Sequence, residues 1–336
     1  MRWGIQPVSQ AAAKLLVRLI AFCFLPLHAS ALEAVTFATD WKAQAEQGGF
    51  YQAKALGLYE KAGLDVTIRG GGPGVNIPQL LGAGAIDFGM GSNSFIPLNM
   101  VRAGVPAKAV MAAFQKDPQV LITHPRADIT TLSDIKDKPV MIADASINAF
   151  WVWLRAKYDF SDRQIRKYTF NLAPFLVNQQ AIQQGYVTSE PYTISTRGGF
   201  SPQVFLLSDF GYPSYAAMVL AQNAMIEEKP ELVQAFVNAS IEGWRSYIYG
   251  DPGPGNKLIL AANPDMRQDI IDQAIEQIRQ RGMLASPDTE INGLGSMSAV
   301  RWQSFFKTMS ENGVYPTTLN WRAAFTTDFT TAMGAP

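Results

Sequence analysis

The chain has 336 residues, 28 Lys+Arg against 28 Asp+Glu, 48% hydrophobic and 17% charged. Such a composition suits well-buried cores and excludes a disordered chain, and the length suits two domains of roughly 100–200 residues each. One cysteine and two histidines exclude a disulfide framework and argue against a Cys- or His-based metal site.

Residues 1–31 read as a cleavable signal peptide. Arg2, Lys14 and Arg18 form a positive region, Leu19 to Leu25 a short apolar run, and Ala29-Ser30-Ala31 an A-x-A signal with cleavage near Ala31. The apolar run falls far short of the ~20 residues that cross a bilayer, so the expected location is the periplasm. Bulky Phe22 argues against lipid attachment at Cys23. Removal of the leader takes away the only cysteine, leaves His124 as the one histidine, and leaves 25 basic residues against 28 acidic ones. A mildly acidic protein has no electrostatic footprint for nucleic acid.

From Val35 the pattern reads strand, helix, strand, helix, strand. Val35 to Ala38 is a strand ending at Asp40-Trp41. A helix follows from Phe50, with Tyr51, Ala55, Leu58 and Ala62 on one face and Gly63 as its stop. Leu64 to Ile68 alternates as a strand, Gly70 to Gly74 is a loop, and Val75 to Ala83 is a short helix. Ile86 to Met90 is a strand ending in Gly91-Ser92-Asn93, then come a helix over 95–102 and a strand over 108–114.

The composition changes at Gln115-Lys-Asp-Pro118. Strands are expected over 119–123, 140–143, 185–188 and 204–207, and helices after Asn148 and over 174–184. Ser146 or Asn148 is expected to cap the former. Ala216 to Leu220 is a further strand. A largely helical tail follows, with Leu232, Phe236, Ala239 and Gly243 on one face and helices around 264–281 and 298–312. The expected organisation is two α/β lobes with two crossings, near 115–120 and 208–216: residues 32–117 with 214–336 form lobe 1, and 118–213 form lobe 2.

Ligands of open α/β sheets sit at the carboxyl ends of the strands. That rule selects Asp40, Trp41, Ser92, Asn93, Ser146, Asn148, Glu190 and Tyr192 as cleft candidates. Of Trp151 and Trp153, which point to different helix faces, Trp151 is nearer the loop. Phe50 is the freer of Phe50 and Tyr51. The glycines of 70–74 lack the lysine of a phosphate loop and the third glycine of a dinucleotide fingerprint, and read as a turn. No Gly-x-Ser-x-Gly elbow is present, and His124, beside Pro125, reads as structural.

Asp40-Trp41, Gly49 to Ala53, Gly57 to Val66 and Gly84 to Gly89 (Gly-Ala-Ile-Asp-Phe-Gly) resemble the SsuA/THI5-like group. That group holds substrate-binding proteins of ABC importers for nitrate, sulfonates, taurine and thiamine-pyrimidine precursors. The resemblance covers essentially the whole chain after the leader. It implies a type II periplasmic binding protein, with two α/β lobes, two crossover segments and a ligand between them. It implies a small-molecule ligand, a permease/ATPase partner in the inner membrane, a monomer, no cofactor, no metal and no catalytic residue. Among the group's members, an Asp-Trp after the first strand resembles the pyrimidine-precursor binders. In those, the tryptophan helps form an aromatic slot and a second-lobe Glu meets the pyrimidine amino group, positions that Trp41 and Glu190 match.

The family's pyrimidine-synthase enzyme uses a histidine and a cysteine-rich stretch, and this chain has no cysteine after its leader. The candidate loops carry Asp40, Glu46, Asp144 and Glu190 but only Lys42 as a base, which disfavours an anion. The expected ligand is a neutral or amino-bearing heteroaromatic of the pyrimidine-precursor type. The alternatives are a sulfonate- or nitrate-type anion, an enzyme on the same scaffold, or a sensor that hands its closed form to a signalling partner.

Overall fold

A computed structural model describes residues 1, 3, 4 and 31–330. The expected leader, with Cys23 and most of its cleavage signal, falls almost wholly outside the described residues. Among the described residues no helix is long and apolar enough to cross a membrane.

Two five-stranded mixed sheets organise the chain. The first has the order β2-β1-β3-β10-β4, built from Glu33–Ala38 (β1), Leu64–Arg69 (β2), Phe88–Gly91 (β3), Ala107–Phe114 (β4) and Ala216–Gln222 (β10). β1 runs parallel to β2 and β3, and β10 lies antiparallel between β3 and β4. The second has the order β7-β6-β8-β5-β9, built from Gln119–Thr123 (β5), Val140–Ile142 (β6), Ile165–Lys167 (β7), Ile182–Tyr186 (β8) and Gln203–Leu206 (β9). β6 is parallel to β7 and β8, and β5 is antiparallel to β8 and β9. The chain therefore passes from the first sheet to the second after β4 and returns before β10. Helices pack against the first sheet, so β10 and its neighbour β4 read as apolar runs rather than alternations. β4 and β10 are buried almost end to end.

The helix Pro230–Tyr249 closes the first sheet. Leu232, Phe236, Val237, Ile241, Trp244 and Ile248 face the core at helical spacing. Phe236 stacks on Phe88 at 4.2 Å and on Tyr59 at 5.2 Å. This helix lies against Gly48–Ala55 so closely that a Cβ on Gly48 would fall 2.0 Å from the Tyr247 ring, and one on Gly49 would fall 2.2 Å from the Trp244 ring. Gly48 and Gly49 therefore serve helix packing, not the Asp40-Trp41 loop that they follow.

Several expected elements differ. The helix after Phe50 is two pieces, Gly48–Ala55 and Leu58–Lys61, because Gly57 sits at φ 64 between them. The helix expected over 174–184 stops at Val177, and Ile182–Tyr186 is a strand paired on both sides. The second sheet offers that run, Ile-Gln-Gln-Gly-Tyr, backbone partners which local pattern cannot foresee. Ser189-Glu190 opens a helix, Glu190–Gly198, rather than continuing a strand. Neither Ser146 nor Asn148 caps the following helix: Asp144–Ile147 forms its own short turn, and Ala149 precedes Phe150–Tyr158 without a side-chain cap. Asp251 and Pro252 precede a further helix, Gly253–Ala262, which opens on Gly-Pro-Gly.

Candidate functional site

Asp40 and Trp41 follow β1 in a loop that three polar contacts hold. Thr39 Oγ1 donates to the Trp41 carbonyl at 2.7 Å, and the Gly71 amide donates to Trp41 O at 3.0 Å and to Thr39 Oγ1 at 3.2 Å. A Cβ on Gly71 would lie 2.2 Å from Thr39 O, so only glycine brings the 70–74 turn this close. That turn buttresses the backbone of the site loop.

The charges of four carboxylates act on the phenol of Tyr186, at the end of β8. The four are Asp40 and Glu46 after β1, Asp117 after β4, and Glu190 at the start of its helix. Burial first, and these charges second, hold that phenol well above its usual range. Burial likewise raises every one of the carboxyls. Glu46 is pushed up to about 7, against the hydrogen bond from Thr188 Oγ1, with the Glu190 and Asp40 charges adding to the rise. Asp117 is pushed up to about 7, against donation from the Gln119 amide and the nearby Ser214 and Arg301. Asp40 is raised by burial, opposed chiefly by Ser92, and its Oδ1 is buried without a hydrogen-bond partner. Glu190 is raised by burial, although Ser189 Oγ at 2.6 Å and the Tyr186 amide at 2.7 Å both donate to its Oε2.

The cation coupled to this group is Arg301, and its guanidinium is already engaged. It donates to the carbonyls of Gln115, Pro213 and Ser214, on both segments that link the sheets, and lies 3.9 Å from the Tyr215 ring centre. Lys42 pairs with Asp265 at an exposed position. Among the described residues, no three His, Cys, Asp or Glu side chains are grouped to hold a metal ion.

Trp41 is half-buried, and its ring meets Phe170 at 4.7 Å between centroids, tilted by 50°. Phe170 comes from the loop after β7 and also contacts Tyr168 at 5.2 Å. Gln183 on β8 is fully buried, and both its amide atoms lack a partner; such groups in a native fold call for an explanation.

Of the expected site residues, Ser92 hydrogen-bonds Asp40 beside Trp41, and the charges of Asp40 and Glu190 both act on Glu46 and Tyr186. Asn93 accepts from the Phe95 amide at 3.1 Å, ordering the start of a helix. Tyr192 donates to Asp269 at 2.9 Å. Ser146 is half-buried and Asn148 exposed, in the turn after β6 where Asp144 pairs with Lys167. Phe50 and Trp151 belong elsewhere. Phe50 is fully buried between Phe37 and Trp244, and Trp151 is fully buried against Phe160, with its indole N–H given to Asp162 at 3.0 Å. Sequence reasoning missed Phe170, Tyr186 and Asp117. The strand-end rule would have reached Tyr186 had β8 been placed correctly; nothing in the local sequence marks Phe170. His124 is buried between Phe175 and Phe200 with Nε2 2.7 Å from Phe175 O, a core histidine.

The NMT1/THI5-like family pattern matches residues 44–253, and the chain belongs to that family. Its fold is that of the periplasmic binding proteins: the crystal structure of the periplasmic aliphatic sulphonate binding protein SsuA from Escherichia coli superposes with a TM-score of 0.65 over 87% of this chain and 91% of that one, at 17% identity. The riboflavin-binding protein RibY of Chloroflexus aurantiacus is 23% identical over 308 residues, 89% of this chain and 86% of that protein. A formylaminopyrimidine-binding protein of Halalkalibacterium halodurans is 22% identical over 280 residues, 81% of this chain and 83% of that protein.

Proposed function

We propose that this chain is the substrate-binding component of an ABC-type importer and that its ligand is a flat, nitrogen-bearing heteroaromatic of the aminopyrimidine type. In this reading residues 1–31 direct the chain to the periplasm, and it acts there as a monomer without a cofactor. Residues 32–117 with 214–336 form one lobe, 118–213 the other, and the ligand sits between them. The observation that carries the ligand class is the buried, unpartnered Asp40 Oδ1 beside Trp41, within a cluster of carboxylates whose one coupled cation is engaged elsewhere. A buried acceptor without a donor costs about 1–3 kcal/mol; a ligand N–H placed there would recover that loss. The Trp41 indole face adds stacking worth about 0.5–1.5 kcal/mol beyond area burial. An anion would be repelled by whichever of these carboxyls are ionised, and Arg301, the coupled cation, is engaged elsewhere.

The names of both curated relatives, a riboflavin binder and a formylaminopyrimidine binder, agree with a planar nitrogen heterocycle. The likeness to the sulphonate binder is one of fold. Lobe closure about the two linking segments would bury the ligand and present the closed form to a permease. Isothermal titration with a 4-aminopyrimidine and with an alkyl sulfonate decides between the classes. Micromolar binding of the aminopyrimidine, about −8 kcal/mol, and no heat from the sulfonate is the expected result. Tight sulfonate binding without a pyrimidine signal would reject it.

A further inference from the structure

Phe170 is positioned unlike the other aromatic residues around the cleft. Its backbone is left-handed at φ 61, a region that bulky residues seldom enter, and its side chain is large, apolar and 41% exposed. It nevertheless meets the Trp41 ring at 4.7 Å. A ligand ring held between two aromatic faces needs about 7 Å between them, two carbon contact distances of ~3.5 Å each. No ring fits between Trp41 and Phe170 as they stand.

Resting on the ligand reading above, we propose that Phe170 is a specificity-determining residue that covers the Trp41 indole, so that a ligand gains that face only by displacing the Phe170 ring. The position of Phe170 allows such displacement. It lies between β7 and the short helix Ala173–Val177, outside regular structure, and its ring is largely outside the core, so its departure disturbs little packing. The cover then acts as a filter: a ligand must stack on Trp41 better than Phe170 does, which flat heteroaromatics do and small inorganic anions do not. A binding site occluded for most of the time loses apparent affinity in proportion to the open fraction.

The test has a ligand-free arm and a ligand arm. Acrylamide quenching of Trp41 is isolated by subtracting the Trp41→Phe protein, in both the parent and the Phe170→Ala backgrounds. The Trp41 component is expected to quench more readily once the ring that shields it is gone. Phe170→Tyr, which keeps a ring, should match the parent. In the second arm a 4-aminopyrimidine should bind Phe170→Ala with up to about ten-fold higher affinity, as for a cover present roughly nine-tenths of the time. Unchanged quenching would overturn the cover and leave the ligand class standing. Lower affinity in Phe170→Ala would also overturn it, making the ring a wall of the occupied site. Greater quenching with no aminopyrimidine binding by either protein would support the cover and count against the ligand class.

Discussion

Two aromatic clusters of similar composition lie within the same polypeptide and do opposite work. Under the first sheet, Tyr59, Phe88 and Phe236 stack face to face at 4.2–5.2 Å, all three fully buried, and the Tyr59 hydroxyl is satisfied by Ser240 at 2.9 Å. At the candidate site, Trp41 and Phe170 meet at a tilt, partly exposed, next to Asp40, whose ionisation burial opposes. The first cluster is complete without a partner. The second leaves Asp40 Oδ1 unpaired and part of an indole uncovered. Residue type does not separate a core from a candidate binding site; what separates these two clusters is whether the polar atoms beside the rings are satisfied from within.

The contrast should break most visibly at Phe236. Phe236→Ala removes the ring that joins Phe88 to Tyr59, and should cost about 3–5 kcal/mol in urea unfolding. Next comes Glu46. Its carboxyl, usually near 4.5, is held at about 7 in the folded chain, so the folded state binds the proton more tightly than the unfolded one. The stability this provides is full below about pH 4.5 and lost as pH rises through 7. Glu46→Gln removes the titration, so relative to the parent it should gain about 2 kcal/mol between pH 5 and pH 8 in parallel denaturation curves. A variant that tracks the parent at both pH values would show that Glu46 is not held protonated.

Asp40→Asn acts on binding rather than folding. It halves the acceptor capacity beside Trp41 and should weaken an aminopyrimidine by about ten-fold, near 1.4 kcal/mol, in titration calorimetry, with the unfolding midpoint almost unchanged. The smallest effect is on the fold at Phe170. Being partly exposed and outside the core, Phe170→Ala should shift unfolding by no more than ~0.5 kcal/mol. A larger loss would move it from the cleft into the structural class of Phe236.

Much of the first sheet was legible in the sequence, because its strands alternate with helices over short, glycine-marked connections. Asp40 and Trp41 were readable from that order alone, since they end β1. The second sheet was harder. Ile182 to Tyr186 carries two glutamines and a glycine, and only its pairing with β5 and β6 makes it a strand. With that strand displaced in the reading, Tyr186 was passed over for its neighbours. Phe50 and Trp151 were misplaced for a related reason: a large aromatic near a strand end fits cleft and core equally until its packing partner is known. Those partners are Trp244, nearly 200 residues away, and Phe160. Asp117 and Phe170 come to the site only through tertiary approach of segments from different sheets, which no local pattern encodes.

The central claim is that an acidic, indole-floored cleft selects a flat nitrogen heterocycle. Native mass spectrometry of the chain purified from its own cells, without added ligand and followed by release of the bound species, tests it most directly. A retained heteroaromatic bearing ring or amino nitrogens, and lost from the Asp40→Asn protein, is the predicted result. A retained sulfonate, nitrate or other anion, kept equally by both proteins, would contradict it.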